Sequence, residues 1–162
     1  MSVTLNSTNG AVVYQPDMMQ LSNIVSANQT VTNSATLVTV PELTIPVGKY
    51  ERVAFNYQVF YTTTATGDLK YRVDVPASPT SLRILLEEQA PAATATVTTI
   101  LTSEADDTIL AASGTEGYIN IKGVLVNGAT AGDVVFQFAQ NTATAAESAV
   151  ILSGSFLEYR RF

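Results

Sequence analysis

Residues 50–75 read YERVAFNYQVFYTTTATGDLKYRVDV. Val53, Phe55, Tyr57, Val59 and Tyr61 fall on one phase of a two-residue repeat, and Arg52, Ala54, Asn56, Gln58 and Phe60 on the other. Successive side chains of a strand point to opposite faces, so this is the pattern of a half-buried strand. After the polar stretch Thr62–Asp68, Leu69, Tyr71, Val73 and Val75 alternate with Lys70, Arg72 and Asp74. Two alternating runs around a Gly-containing loop predict an antiparallel hairpin.

Working outward, the same signals recur. Leu37–Val40 and Leu43–Val47 are apolar and β-branched, with Pro41 and Pro46 placing them at a sheet edge or a bend. Strands are also expected over Ser81–Glu88, Pro91–Thr102, Thr108–Ala111, Tyr118–Val126, Val134–Gln140, Ala149–Leu152 and Ser155–Arg161. Asn127-Gly128 ends one of these, and Val134, Phe136 and Phe138 share a face of the next. No stretch has helical periodicity with caps. Roughly eight to ten strands joined by turns predict an all-β, antiparallel β-sandwich of jelly-roll-like form. It covers residues 31–162, after an N-terminal arm of residues 1–30. The arm is read as ordered by contact with a neighbour. The other reading is a first strand with a long loop, or a short helical turn over Asp17–Val25.

Composition narrows the function. Of 162 residues, 46% are hydrophobic and 14% charged, against about 25% charged in average soluble chains. A surface so poor in charge suits a protein covered by partners. The net charge of −6 and eight scattered Lys and Arg argue against binding nucleic acid or an anionic membrane. No apolar run reaches the roughly 18 residues of a membrane span, and MSVTLNSTNG lacks the pattern of a signal peptide. A chain made and kept in the cytosol, or leaving it inside something larger, is the expectation.

Chemistry-bearing motifs are few. The chain has no Cys and no His, which removes thiolate ligands and the commonest general base. Serine lacks an SxxK or GxSxG setting. Glu87 and Glu88 point apart if extended. Glu104-Ala105-Asp106-Asp107 offers oxygen ligands without a calcium-loop pattern, and a solvated turn is the plainer reading. No enzyme, metal or cofactor is expected. Tyr50, Phe55, Tyr57, Phe60 and Tyr61 are read as core or interface rather than a sugar platform, with Phe60 at a subunit contact.

Residues 118–162 read YINIKGVLVNGATAGDVVFQFAQNTATAAESAVILSGSFLEYRRF. A strand ends in Asn127-Gly128-Ala129-Thr130-Ala131-Gly132. Phe136-Gln137-Phe138-Ala139-Gln140-Asn141 follows, then Leu152-Ser153-Gly154-Ser155-Phe156-Leu157 and the tail Glu158-Tyr159-Arg160-Arg161-Phe162. This pattern resembles small virion structural proteins of tailed bacteriophages, over about two thirds of the chain. The resemblance implies a homotrimeric jelly roll on the virion, as a capsid decoration (cement) protein bridging subunits of the major capsid protein. A receptor-binding or tip module of a tail or head fibre is the alternative it implies. Val12, Val13, Tyr14, Met18, Met19, Leu21 and Ile24 are the expected capsid or neighbour contacts, Met18 and Met19 supplying adaptable apolar contact.

Overall fold

The computed structural model describes residues 21–64, 68–89, 97–103, 107–109 and 115–162. In chain order the strands are β1 (Leu21–Ile24), β2 (Gln29–Thr32), β3 (Val38–Val47), β4 (Arg52–Thr63), β5 (Leu69–Asp74) and β6 (Ser81–Gln89). They continue with β7 (Val97–Leu101), β8 (Asp107–Ile109), β9 (Gly117–Val126), β10 (Gly132–Gln140), β11 (Ser148–Ile151) and β12 (Phe156–Arg161). Every pairing is antiparallel.

The larger sheet runs β1-β12-β4-β9-β6-β7, with β11 between β2 and β4, and the smaller runs β3-β10-β5-β8. β1 and β2 lie along β12 and β11, so each couple is one interrupted strand. Merging the two couples and setting aside the β6–β7 hairpin leaves eight strands. Renumbered in chain order, they run 1-8-3-6 in one sheet and 2-7-4-5 in the other. That is the jelly-roll order, two interleaved Greek keys. The β6–β7 hairpin widens the first sheet beyond β9.

The alternation in β4 sorts as expected. Val53, Tyr57, Val59 and Tyr61 are fully buried and Phe55 nearly so. Across the sandwich they meet Val134, Phe136 and Phe138 of β10 and Leu69, Tyr71 and Val73 of β5. Tyr57 and Phe136 rings lie 6.1 Å apart, and the Tyr57 hydroxyl donates to the Val134 carbonyl at 3.3 Å, joining the sheets. Burying each such side chain contributes about 1.5–3 kcal/mol.

The expected β4–β5 hairpin does not form. β4 pairs with β9, β11 and β12, while β5 pairs with β10 and β8 in the opposite sheet. β9 and β10 do not pair either, because β10 lies between β3 and β5. Among the described strands only β6 and β7 are both consecutive and paired. Periodicity fixes which face a side chain takes, not which strand lies beside it.

The proline reading of β3 holds, since this strand is an edge. Val135 and Gln137 of β10 face Thr44 and Thr39 of β3, so a bulge containing Pro41 absorbs the extra residues. The arm, by contrast, does not extend to residue 30. Leu21–Ile24 and Gln29–Thr32 are strands of the larger sheet, and Val25 and Val31 are buried in the core. Backbone ladders to β12 and β11 hold this segment in place of a neighbour's surface.

Two turns carry the quoted C-terminal pattern. Asn127 is fully buried, and its side-chain amide donates to Gly48 O at 2.7 Å and Thr130 O at 2.8 Å. A Cβ at Gly128 would collide with the Ser78 carbonyl, so glycine is required there. Between β11 and β12, Gly154 takes φ +88°, and Ser153 N–H donates to Asn28 Oδ1 at 2.8 Å.

Candidate interaction face

The outward side of the larger sheet carries the residues that a solvated sheet face would not. The registers align three rows across it. One runs Ile24, Phe156, Gln58, Asn120, Glu87; the next Glu158, Asn56, Lys122, Leu85, Ile100; the third Arg160, Ala54, Val124, Arg83. Phe60 and Tyr118 pair directly beyond the first row, their rings 5.5 Å apart. Ile100 is 73% exposed, Ile24 62% and Val124 49%. Ala54, Leu85, Ile100 and Val124 line an open depression of about 460 Å³, flanked by Arg83 and Lys122.

Its polar groups are organised. Glu87 Oε2 accepts from Asn120 Nδ2 at 2.6 Å and stands 3.5 Å from Lys122 Nζ. Asn120 is only 6% exposed although it faces outward. Burial, with the Glu87 charge nearby, holds the Tyr118 hydroxyl above its usual pKa.

The outward side of the smaller sheet differs. Arg72 Nη2 donates to Gln137 Oε1 at 2.8 Å, and Gln137 Nε2 to Thr39 Oγ1 at 3.3 Å. Lys70 Nζ donates to Ala35 O at 2.9 Å. These polar side chains are hydrogen-bonded within the protein, and no large exposed apolar residue interrupts them along β5 and β10.

Glu87 and Glu88 diverge as their spacing predicts. Glu87 stays on the outward face, while Glu88 turns inward to accept from the Tyr71 hydroxyl. Among the described residues no three of Asp, Glu, His or Cys gather as a metal site. No helix among them is long and apolar enough to cross a membrane. Glu104–Asp106 lies outside the described residues.

Of the contact residues read from sequence, Val12, Val13, Tyr14, Met18 and Met19 lie outside the described residues. Leu21 pairs with Tyr159 at the sheet edge, and Ile24 stands on the outward face beside Phe156. Phe60 also lies on that face. Leu85, Ile100 and Val124 were not singled out by sequence. Their signal is local: Ile84-Leu85-Leu86, Ile100-Leu101 and Val124-Leu125-Val126 put apolar residues on both phases of a strand.

No family model and no curated protein matches the chain. Among solved structures, a chain from the infectious bursal disease virus Gt strain is similar at 11% identity and TM-score 0.26, covering 93% of this chain and 42% of that one. A chain from the Gx strain gives 11% identity and TM-score 0.23, with 93% and 40% covered. The present chain thus spans less than half the length of those viral chains. What defines its class, an all-β jelly roll, is the strand order.

Proposed function

We propose that the chain is a virion structural subunit, and specifically a decoration (cement) protein on the outside of an assembled head. The observation that carries this reading is the outward face of the larger sheet, where Ile100 and Val124 stand exposed at an open depression and Ile24 stands exposed beside Phe156. Apolar patches of this kind mark sites of protein contact. Support also comes from the low charge content and from the resemblance of the C-terminal turn-and-strand pattern to phage virion proteins. The role is structural rather than catalytic. A protein that binds only the assembled shell stabilises it by mass action, and bridging neighbouring major capsid subunits adds contacts that oppose internal pressure.

The test is rebinding to heads stripped of the chain, with copies counted against the major shell protein. Decoration predicts saturable binding at on the order of hundreds of copies per particle, as a symmetric shell requires, and a raised disruption temperature. A few dozen copies, confined to one vertex or to fibres, replaces this reading with a receptor-binding or tip module. No binding to any part of the particle overturns both.

A further inference from the structure

We propose that a groove across the outward face of the larger sheet, from Arg160 to Arg83, receives an extended acidic segment of the shell subunit on which the chain docks. The proposal deepens the decoration reading by naming the chemistry of the surface it binds, and it rests on that reading for the segment's source.

A small side chain opens the groove. Arg160 of β12, Ala54 of β4, Val124 of β9 and Arg83 of β6 stand in one row across four neighbouring strands. Ala54 lines a hollow on each side of it. One, of about 240 Å³, is bounded by Asn56, Glu158 and Arg160, and the other, of about 460 Å³, by Val124, Leu85, Ile100 and Arg83. The two adjoin at Ala54 and Phe55, so an arginine stands toward each end of a shared channel.

Charge on this face is one-sided. Arg52, Arg83, Lys122 and Arg160 hold outward strand positions, with Glu87 and Glu158 as the carboxylates among them. Glu87 is already engaged by Asn120 and Lys122. Among the described residues none of Arg52, Arg83 and Arg160 is in an ion pair. The Arg160 guanidinium lies 5.2 Å from the Phe162 ring centroid, a cation–π contact that steadies it without neutralising it. Unpaired guanidinium forks select carboxylates. Exposed Val124 and Ile100 beside them favour an apolar side chain in the same segment.

Spacing sets the pattern. Neighbouring strands lie about 4.8 Å apart, so three steps separate Arg160 from Arg83 by about 14 Å. An extended segment rises about 3.4 Å per residue, so its residues i and i+4 match that separation and point the same way. The groove therefore fits a carboxylate at each of those positions and an apolar residue at i+2, over Ala54 and Val124. A two-fold contact between copies would set these arginines against their own counterparts, which like-charge repulsion opposes. Residues 1–20 of the chain carry Asp17 as their single carboxylate and do not supply the pair.

The experiment titrates the isotope-labelled full chain with the capped peptide Ser-Glu-Thr-Leu-Thr-Glu-Ser and follows amide chemical shifts, with circular dichroism melts as the folding control. Wild type is expected to bind saturably, with shifts centred on Ala54, Val124 and Arg160, and to bind more weakly as salt is raised. A peptide with lysine for both glutamates, or with serine for the leucine, is expected to bind at least about tenfold more weakly. R83E/R160E is expected to lose the glutamate peptide and to gain the lysine peptide. Failure of wild type to bind, indifference to either peptide change, or a folded R83E/R160E that binds as wild type does overturns the proposal. So does self-association of wild type that R83E/R160E abolishes, which makes a second copy the occupant. Head binding is read separately. Wild type that decorates heads yet ignores the glutamate peptide sinks the acidic segment alone, and wild type that binds the peptide yet no part of the particle sinks decoration alone.

Discussion

Ser155 takes the place of a strand partner for Phe60. The Phe60 N–H donates to Ser155 Oγ at 3.0 Å, and the Phe60 carbonyl accepts from the Leu152 N–H at 2.9 Å and from the Ser155 hydroxyl at 3.3 Å. The β4 ladder is interrupted here, between Gln58 opposite Phe156 and Tyr61 opposite Ile151. Ser155 is fully buried. One hydroxyl therefore lets β11 turn into β12 without orphaning the central strand, and it leaves Phe60 on the outward face of the larger sheet.

Ser155→Ala removes that partner and leaves a Phe60 amide unpaired. The expected loss is about 1–3 kcal/mol, or roughly 2–10 °C in Tm for a domain of this size. A thermal melt unchanged within a degree contradicts the assignment.

Gly117 and Gly123 lie directly across from Tyr61 and Phe55 on the core side of β4 and β9. A Cβ at either glycine would enter the facing ring. Gly123→Ala is expected to destabilise by about 1–3 kcal/mol through overpacking. Phe55→Leu with Gly123→Ala is expected to cost less than the sum of the single changes, as contacting residues are non-additive. A double-mutant cycle by urea unfolding checks this, and strict additivity speaks against the packing described.

Alkaline stability follows from Tyr57. Complete burial raises its pKa far above the usual 10.0. The folded state then keeps a proton that the unfolded state releases. Stability is full below about pH 10 and falls as pH rises above it, by about 1.4 kcal/mol per unit for this group. Urea midpoints between pH 8 and about pH 11 measure the slope. Tyr57→Phe is expected to remove that group's share of the slope, leaving the share of Tyr61, whose hydroxyl is also pushed up by burial, while costing about 1 kcal/mol near neutrality for the bond to Val134 O.

Deleting residues 1–32 removes β1 and β2, uncovering the edges of β12 and β11 and taking Val25 and Val31 from the core. The shortened chain is expected to lose at least about 3 kcal/mol, the transfer term for two buried side chains. An unchanged melt would restore the separable arm through residue 30.

Much of this was legible in sequence, for a physical reason. Whether Tyr57 or Gln58 faces the core depends only on parity along one strand, and parity is a local property. Which strand lies beside β4 depends on a crossover between sheets at nearly every connection. The run YTTTATGDLKY therefore looks like a hairpin while joining opposite sheets. The site was partly hidden for a related reason. Alternation assigns one apolar phase per strand, so Leu85 and Val124 looked like continuations of core runs. Only the pairing of β6, β7 and β9 shows that they surface together with Ile100.

The decoration reading requires the outward face of the larger sheet to be covered in the assembled particle. An image reconstruction of the native virion at side-chain detail tests it directly. Decoration through this face predicts protein density packed over Phe60, Tyr118, Ile100 and Val124, with the smaller sheet's Lys70–Arg72–Gln137 side left to solvent. Density showing that apolar face bare, and the chain held by the smaller sheet, would contradict it.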